Sequence, residues 1–316
     1  MKILLANDTR GSVQGEHWGS WLTTTNLETL LASAGLTVID RLGLGRLQPV
    51  ESVWARIEKA GTLLINGEGS VHSGTRTATS LLQALKTARE RGIRAWIVNH
   101  TCWNCDQLVH MYDYADFIAV RDIASHGYLA QHGVAARLAA DCSFLSEAAK
   151  ETRRDQLLVC SGLTPPDQKV ITTWASELRC ERVVLCNDFY PRFPMQDAVK
   201  SGSAEECFHQ FASSRFVVSS SYHGCVFATL HGTPFLPVQV KGQPPKTMVA
   251  AVEAMGPHVR GVCGEGPHYV TAHYEEIQGV MRDRLKWLRR RATLNLPPCH
   301  GGGSLRVARR EQGLHH

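Results

Sequence analysis

Nowhere in its 316 residues does the chain carry a run near the ~18 consecutive apolar residues that a membrane helix needs, which argues against a helical membrane protein. "MKILLANDTR" holds only a strand-length apolar segment before Asp8, so it reads as a first strand rather than a signal peptide. A cytoplasmic protein is expected. Metal-spaced cysteines are also scarce. Ten cysteines are scattered along the chain, and Cys102-Trp103-Asn104-Cys105, preceded by His100, is the one pair at suggestive spacing. Without a second such pair neither a zinc site nor a disulfide framework is indicated, and no metal is expected. Cysteines within apolar runs act as small hydrophobes. No internal repeat is present. A net positive charge is confined to one segment. Residues 281–316 hold nine Lys or Arg against two acidic residues, a net +7, which leaves the other 280 residues at −2. A body of that sign is unsuited to general polyanion binding, so nucleic acid is excluded as a partner.

What is present is an alternation of short apolar runs with helical stretches, the pattern of a parallel sheet covered on both faces. Strands are expected at "KILLA", "LTVIDRL", "TLLIN", "RAWIVNH", "DFIAVRD" and "AARLAAD". "TNLETLLASAG", "ESVWARIEKAG", "TATSLLQALKTARERG" and "ASHGYLAQHG" lie between them as helices, several ending in Gly. The alternation restarts at "QLLVCSG" after the charged stretch "FLSEAAKETRRD". The length and this break predict an α/β fold of two Rossmann-like domains, 1–148 and 155–272, with a cleft between them. One large doubly wound domain is the alternative. A basic amphipathic helix is expected over 273–293, and a Pro- and Gly-rich flexible tail over 294–316.

In open α/β sheets ligands bind beyond the carboxyl ends of the strands, so the residues following each apolar run are the site candidates. After "TLLI" come Asn66-Gly67-Glu68-Gly69-Ser70-Val71-His72, read as a tight glycine loop presenting Glu68. Asn99, His100 and Thr101 follow "RAWIV". Arg121 follows "DFIAV" and has the planar fork that grips a carboxylate or phosphate, while Asp122 reads as a helix cap. "FVV" leads into Ser219, Ser220, Ser221, Tyr222 and His223, and then the helix "CVFATL". A strand end running into a helix start gathers unpaired amides and favours an anion. It also keeps an adjacent imidazole neutral near pH 7, able to pass a proton either way. Lys241 and Lys246 follow "FLPVQV".

"FVVSSSYHGCVFATLHGTPFLPV", "LLINGEGSVH" and "FIAVRDIASHGYLAQHG" followed by "AADCS" resemble, in order, blocks of the polysaccharide pyruvyl transferase family. The resemblance covers roughly 1–255 and implies two Rossmann-like domains in a GT-B-like arrangement. It also implies a transferase of cell-surface polysaccharide biosynthesis that moves a pyruvyl group from phosphoenolpyruvate onto a saccharide, joining two hydroxyls as a ketal. Phosphoenolpyruvate is then a co-substrate and no cofactor is expected. By resemblance, His223 and Glu68 are the catalytic pair. Arg121, Ser219, Ser220, Ser221, Tyr222, Gly224 and Lys246 would hold the donor. Asn66, Gly67, His72, Asn99 and His100 would face the acceptor. The family carries an arginine two residues before its histidine, where this chain has Ser221. Arg121, Arg215 or Lys246 would supply that charge, or the donor or the activity differs. The alternatives are therefore a nucleotide-sugar glycosyltransferase of the same architecture, or a ligand-binding protein without catalysis. Arg289, Arg290 and Arg291 on the C-terminal helix could rest on an anionic inner-membrane face bearing a lipid-linked acceptor.

Overall fold

Strand β1 (Lys2–Asp8) shows how the first sheet is built. Ile3, Leu4, Leu5 and Ala6 are all fully buried, so both faces of the strand must be covered. Alternate residues point to opposite faces. Ile3 and Leu5 meet Leu27 and Leu31 of helix α1 (Trp18–Ser33) together with Leu64. Leu4 and Ala6 join Trp54 and Ile57 of α2 (Glu51–Ala60) and Leu82 and Leu85 of α3 (Arg76–Glu90). Each such side chain contributes roughly 1.5–3 kcal/mol on burial.

The computed structural model describes residues 1–10, 17–43, 47, 50–139, 141–146, 156–160, 172, 175–176, 178–186, 199–219, 221–231, 233, 235–239 and 270–271. The expected basic helix, the tail, Ser220, Lys241 and Lys246 lie outside them.

β2 (Thr37–Gly43), β3 (Thr62–His72), β4 (Arg94–Trp103), β5 (Phe117–Val120) and β6 (Arg137–Leu138) complete a six-stranded sheet. Its order is β2-β1-β3-β4-β5-β6, with every pairing parallel. A second, five-stranded parallel sheet has the order β11-β10-β9-β7-β8. It is formed by β7 (Gln156–Cys160), β8 (Arg182–Cys186), β9 (Phe216–Ser219), β10 (Phe235–Gln239) and β11 (Val270–Thr271). Helices α4 (Ile123–Gln131), α5 (Ala204–Ala212) and α6 (Tyr222–Leu230) connect strands, the last following β9 directly. The fold is thus α/β with two Rossmann-like units. The strand order reverses between β1 and β3 in one sheet and between β7 and β9 in the other. Crevices open at such reversals.

The first half of α1 departs from a simple division of the chain into an N-terminal and a C-terminal core. Trp18 and Leu22 belong to the second sheet's core, with Leu158, Val184, Phe211, Tyr222 and Phe227, while Leu27 and Leu31 serve the first. Trp18 Nε1 also donates to the Ser201 carbonyl at 3.2 Å.

Candidate active site

Three neighbouring strands of the first sheet each carry, in their C-terminal halves, one residue in backbone that L-residues avoid. Asn7 on β1 has φ 63°, Glu68 on β3 has φ 39° and Asn99 on β4 has φ 53°. Asparagine tolerates this left-handed region; glutamate does so at a cost of roughly 1–3 kcal/mol. The parallel register shifts beside each of them. The expected glycine loop is therefore not a loop. β3 runs on through His72, paired with β4, and a bulge between Glu68 and Val71 turns Glu68 inward. Gly67 lets β3 close on β4, because a Cβ there would collide with the His100 side chain.

Glu68 is 5% exposed and accepts from Thr9 Oγ1 at 2.5 Å, Ser20 Oγ at 2.9 Å and Asn66 Nδ2 at 3.0 Å. Burial pushes its carboxyl pKa upward, outweighing the Thr9 hydrogen bond and the nearby Arg121 charge. Asn66 Oδ1 accepts from Asn99 Nδ2 at 3.2 Å, and Asn99 Oδ1 accepts from Cys142 N at 3.0 Å. Asn7 Nδ2 donates to the Asn66 carbonyl at 2.6 Å.

α1 carries the other half of the arrangement. Ser20, Thr23 and Thr24 are spaced i, i+3, i+4 and so share one face. Ser20 meets Glu68, Thr24 Oγ1 accepts from Asn66 Nδ2 at 3.3 Å, and Thr23 meets Asp141 and His223. His17 caps the helix, its Nδ1 accepting from Ser20 N at 3.1 Å. The His17 ring stands edge-on to that of His223, with centroids 5.4 Å apart. Gly19 packs under His223, where any Cβ would overlap the imidazole. The expected helix began only at Thr25, so none of His17, Gly19, Ser20, Thr23 and Thr24 was anticipated. The available signal was hydroxyls at i, i+3, i+4 in "WGSWLTTTNL".

Arg121 is buried and pairs with the equally buried Asp141, Nη1 to Oδ2 at 2.7 Å; its Nε donates to Thr101 Oγ1 at 3.1 Å. Its guanidinium lies 4.0 Å from the centre of the Tyr222 ring, a cation–π contact from β5 to the start of α6. Among the described residues the buried Tyr222 hydroxyl has no hydrogen-bond partner. His223, 5% exposed, has its pKa lowered to about 3, chiefly by burial, so the ring is neutral at ordinary pH. Neutrality was expected from the helix N-terminus; desolvation is the larger cause.

Several expected ligand contacts are spent on the fold. Ser221 is the N-cap of α6, its Oγ accepting from Gly224 N at 3.4 Å. Ser219 Oγ accepts from Ser221 N and donates to the Ser221 carbonyl, both at 3.1 Å. A Cβ on Gly224 would strike Ser219 Oγ, so this glycine serves close packing. His100 is fully buried, with Nδ1 at 3.0 Å from the Ala119 carbonyl and Nε2 at 2.8 Å from the Tyr112 hydroxyl. Both nitrogens are engaged, which corrects its expected place facing an acceptor. His72 is half-buried at the far end of β3. Asp122 caps α4 as expected, accepting from Ser125 N at 2.7 Å. Cys102 and Cys105 are buried and not joined in a disulfide, and the described residues contain no metal-holding group of His, Cys, Asp and Glu. A cavity of about 730 Å³ opens beside Asn99 and Asp141, lined mostly by apolar side chains such as Leu27, Trp96, Phe117 and Phe144. Among the described residues no cation lines it, which does not suit a doubly anionic ligand.

The model of the polysaccharide pyruvyl transferase family matches residues 44–242. The chain belongs to that family. No curated protein matches it. Among solved structures it is similar to the UDP-GlcNAc 2-epimerase of Neisseria meningitidis bound to UDP-GlcNAc, with TM-score 0.54 and 11% identity over 94% of this chain and 95% of that one. The Methanocaldococcus jannaschii UDP-GlcNAc 2-epimerase in complex with UDP-GlcNAc and UDP gives TM-score 0.54 and 12% identity over 90% and 93%. An uncharacterised Klebsiella pneumoniae protein gives TM-score 0.51 and 12% identity over 86% and 93%. The shared architecture is GT-B-like. Among the described residues no helix is long and apolar enough to cross a membrane.

As a member of the pyruvyl transferase family the chain lacks the arginine two residues before its histidine, and the structure shows which described cation lies nearby. Arg121 rests on the ring of Tyr222, the residue next to His223. Arg215 precedes β9, at the end of that strand away from His223, and its Nη1 donates to the Arg179 carbonyl at 3.1 Å.

Proposed function

We propose that the chain transfers the pyruvyl group of phosphoenolpyruvate to two hydroxyls of a saccharide, forming a ketal and releasing phosphate. The observation that carries this reading is the convergence of Glu68 and His223 on one face of α1. They come from the two strand-order reversals, with the buried Arg121 cation beside them. Ketal formation needs a proton delivered to the methylene carbon and a proton removed from each attacking hydroxyl. Opposed environments equip the pair for it. The raised carboxyl of Glu68 is a stronger base than a solvated one, suited to an acceptor hydroxyl. The lowered imidazole of His223 is a strong acid once an anionic donor has drawn a proton onto it. Arg121 and the first amides of α6 offer opposite charge to the donor's carboxylate and phosphate. As each carbon–oxygen bond to the acceptor forms, its hydroxyl proton goes to a base, and phosphate leaves with the enol oxygen.

A second reading draws on architecture. The Neisseria meningitidis epimerase holds UDP-GlcNAc, and a nucleotide diphosphate would also suit a helix N-terminus. Incubation with a panel of saccharides and either phosphoenolpyruvate or UDP-sugars separates the two. Phosphate release with a pyruvyl ketal in the product NMR spectrum is expected with the former alone. His223→Ala should lower that turnover by at least ~10²-fold. Product from a UDP-sugar alone would replace this reading with the second.

A further inference from the structure

Thr23 is fully buried on α1, and its single hydroxyl lies 3.2 Å from Asp141 Oδ1 and 3.2 Å from His223 Nε2. A hydroxyl has one proton to give and lone pairs with which to accept. Asp141 has none to give. Its Oδ2 takes Arg121 Nη1 at 2.7 Å, and its Oδ1 takes Ser143 N at 2.8 Å and Ser143 Oγ at 2.6 Å. Paired with a buried guanidinium, it is an acceptor only. Thr23 must then donate to Asp141, and its oxygen accepts from His223 Nε2–H. The opposite arrangement would leave two oxygen lone pairs facing each other with no proton between them.

We propose that Thr23 and Asp141 are positioning residues that hold neutral His223 as its Nε2–H tautomer, making Nδ1 the nitrogen that exchanges a proton with ligand. Among the described residues His223 Nδ1 makes no hydrogen bond, and Gly19, lacking a Cβ, lets the backbone of α1 pack against the ring without offering that nitrogen a side-chain partner. The relay joins the two halves of the molecule, since Thr23 lies on α1, Asp141 follows β6 and His223 starts α6. Its catalytic consequence rests on the proposed role of His223; the tautomer itself does not.

Long-range 1H–15N spectra of protein carrying 15N-histidine read the tautomer without substrate. The His223 signals are identified by their loss in His223→Gln. At neutral pH a protonated Nε2 and a bare Nδ1 are expected. Thr23→Val keeps the shape but removes the acceptor, and should lower the Nε2–H to Nδ1–H ratio about tenfold, in line with losing one buried hydrogen bond. Thr23→Ser should restore the native ratio. A native ring protonated on Nδ1, an unchanged ratio in Thr23→Val, or a serine variant behaving like the valine one would each overturn the assignment. Should the valine variant not fold, the native and serine spectra decide. An Nε2–H ring in a protein that transfers no pyruvyl group would sink the reaction proposed above and leave the relay standing.

Discussion

A glutamate at φ 39°, 5% exposed and raised in pKa by burial, is expensive for a fold to keep. The charged form of Glu68 is disfavoured in the folded protein, so above the ordinary carboxylate pKa it detracts from stability. Glu68→Gln removes the charge and can keep the contacts. The amide oxygen still accepts from Thr9 and Asn66, while the amide nitrogen donates to Ser20 Oγ, which can turn to accept. Expected are a melting temperature equal to or above the native one at neutral pH, and turnover at least ~10²-fold lower. Calorimetry beside a phosphate-release assay checks both. A clear fall in melting temperature would make the carboxylate part of the scaffold. Ser221 illustrates the opposite case. The hydroxyl that looked like a ligand contact is a helix cap, 1% exposed, so Ser221→Arg, which would restore the family's cation on paper, forfeits the cap. The cap is worth about 1 kcal/mol, and the arginine would add a buried charge.

Helix α1 decides how the site is assembled, because its first half packs on the second sheet's core and its second half on the first. Gly19→Ala tests that role. Alanine favours a helix interior over glycine by ~1 kcal/mol, yet the added Cβ would overlap the His223 ring, so helix or imidazole must move. The expected result is a lower melting temperature despite the better propensity, with weakened phosphoenolpyruvate binding by calorimetric titration. Unchanged values of both would show that the contact is slack. The same helix marks where reading the sequence succeeded and stopped. β1, β3, β4 and β9 were legible because their apolar runs are continuous, as strands buried on both faces require. His223 was legible because a strand end and a helix start meet around it. The first turns of α1 were not, since Trp18 and Leu22 face one core while Ser20 and Thr23 face a polar cluster, which leaves no single apolar stripe. The bulge that turns Glu68 inward is a property of pairing between β3 and β4 and has no local signature. Thr23 and Asp141 stand 118 residues apart, and their contact follows only from the folded chain.

Two buried neutral imidazoles, one tied to each sheet, make the stability of the whole molecule depend on pH. His100 on β4 and His223 on α6 both have pKa values lowered to about 3, with burial the leading cause in each. Unfolding returns them to an ordinary value near 6.5, so below that pH the unfolded chain binds protons that the native state refuses. Stability is therefore complete above pH ~6.5 and declines as pH falls toward 3, by up to about 1.4 kcal/mol per pH unit for each ring. Glu68 acts in the other direction. Its raised pKa lets the native state hold a proton that the unfolded chain has released, which moderates the slope above the ordinary carboxylate pKa. Asp141, held below the ordinary range by the Arg121 guanidinium against the upward push of burial, steepens the loss below the ordinary carboxylate pKa. Urea unfolding at a series of pH values between 7 and 5 should give a free energy that falls with acid, with a slope that is under one proton near pH 7 and grows toward two as the pH falls, less the offset from Glu68. His100→Gln, wherever it folds, should bring that slope near one proton, leaving His223 as the remaining source. A free energy flat from pH 7 to 5 would mean that both rings take up protons within the native state, and would remove the basis for reading His223 as a neutral ring before ligand arrives.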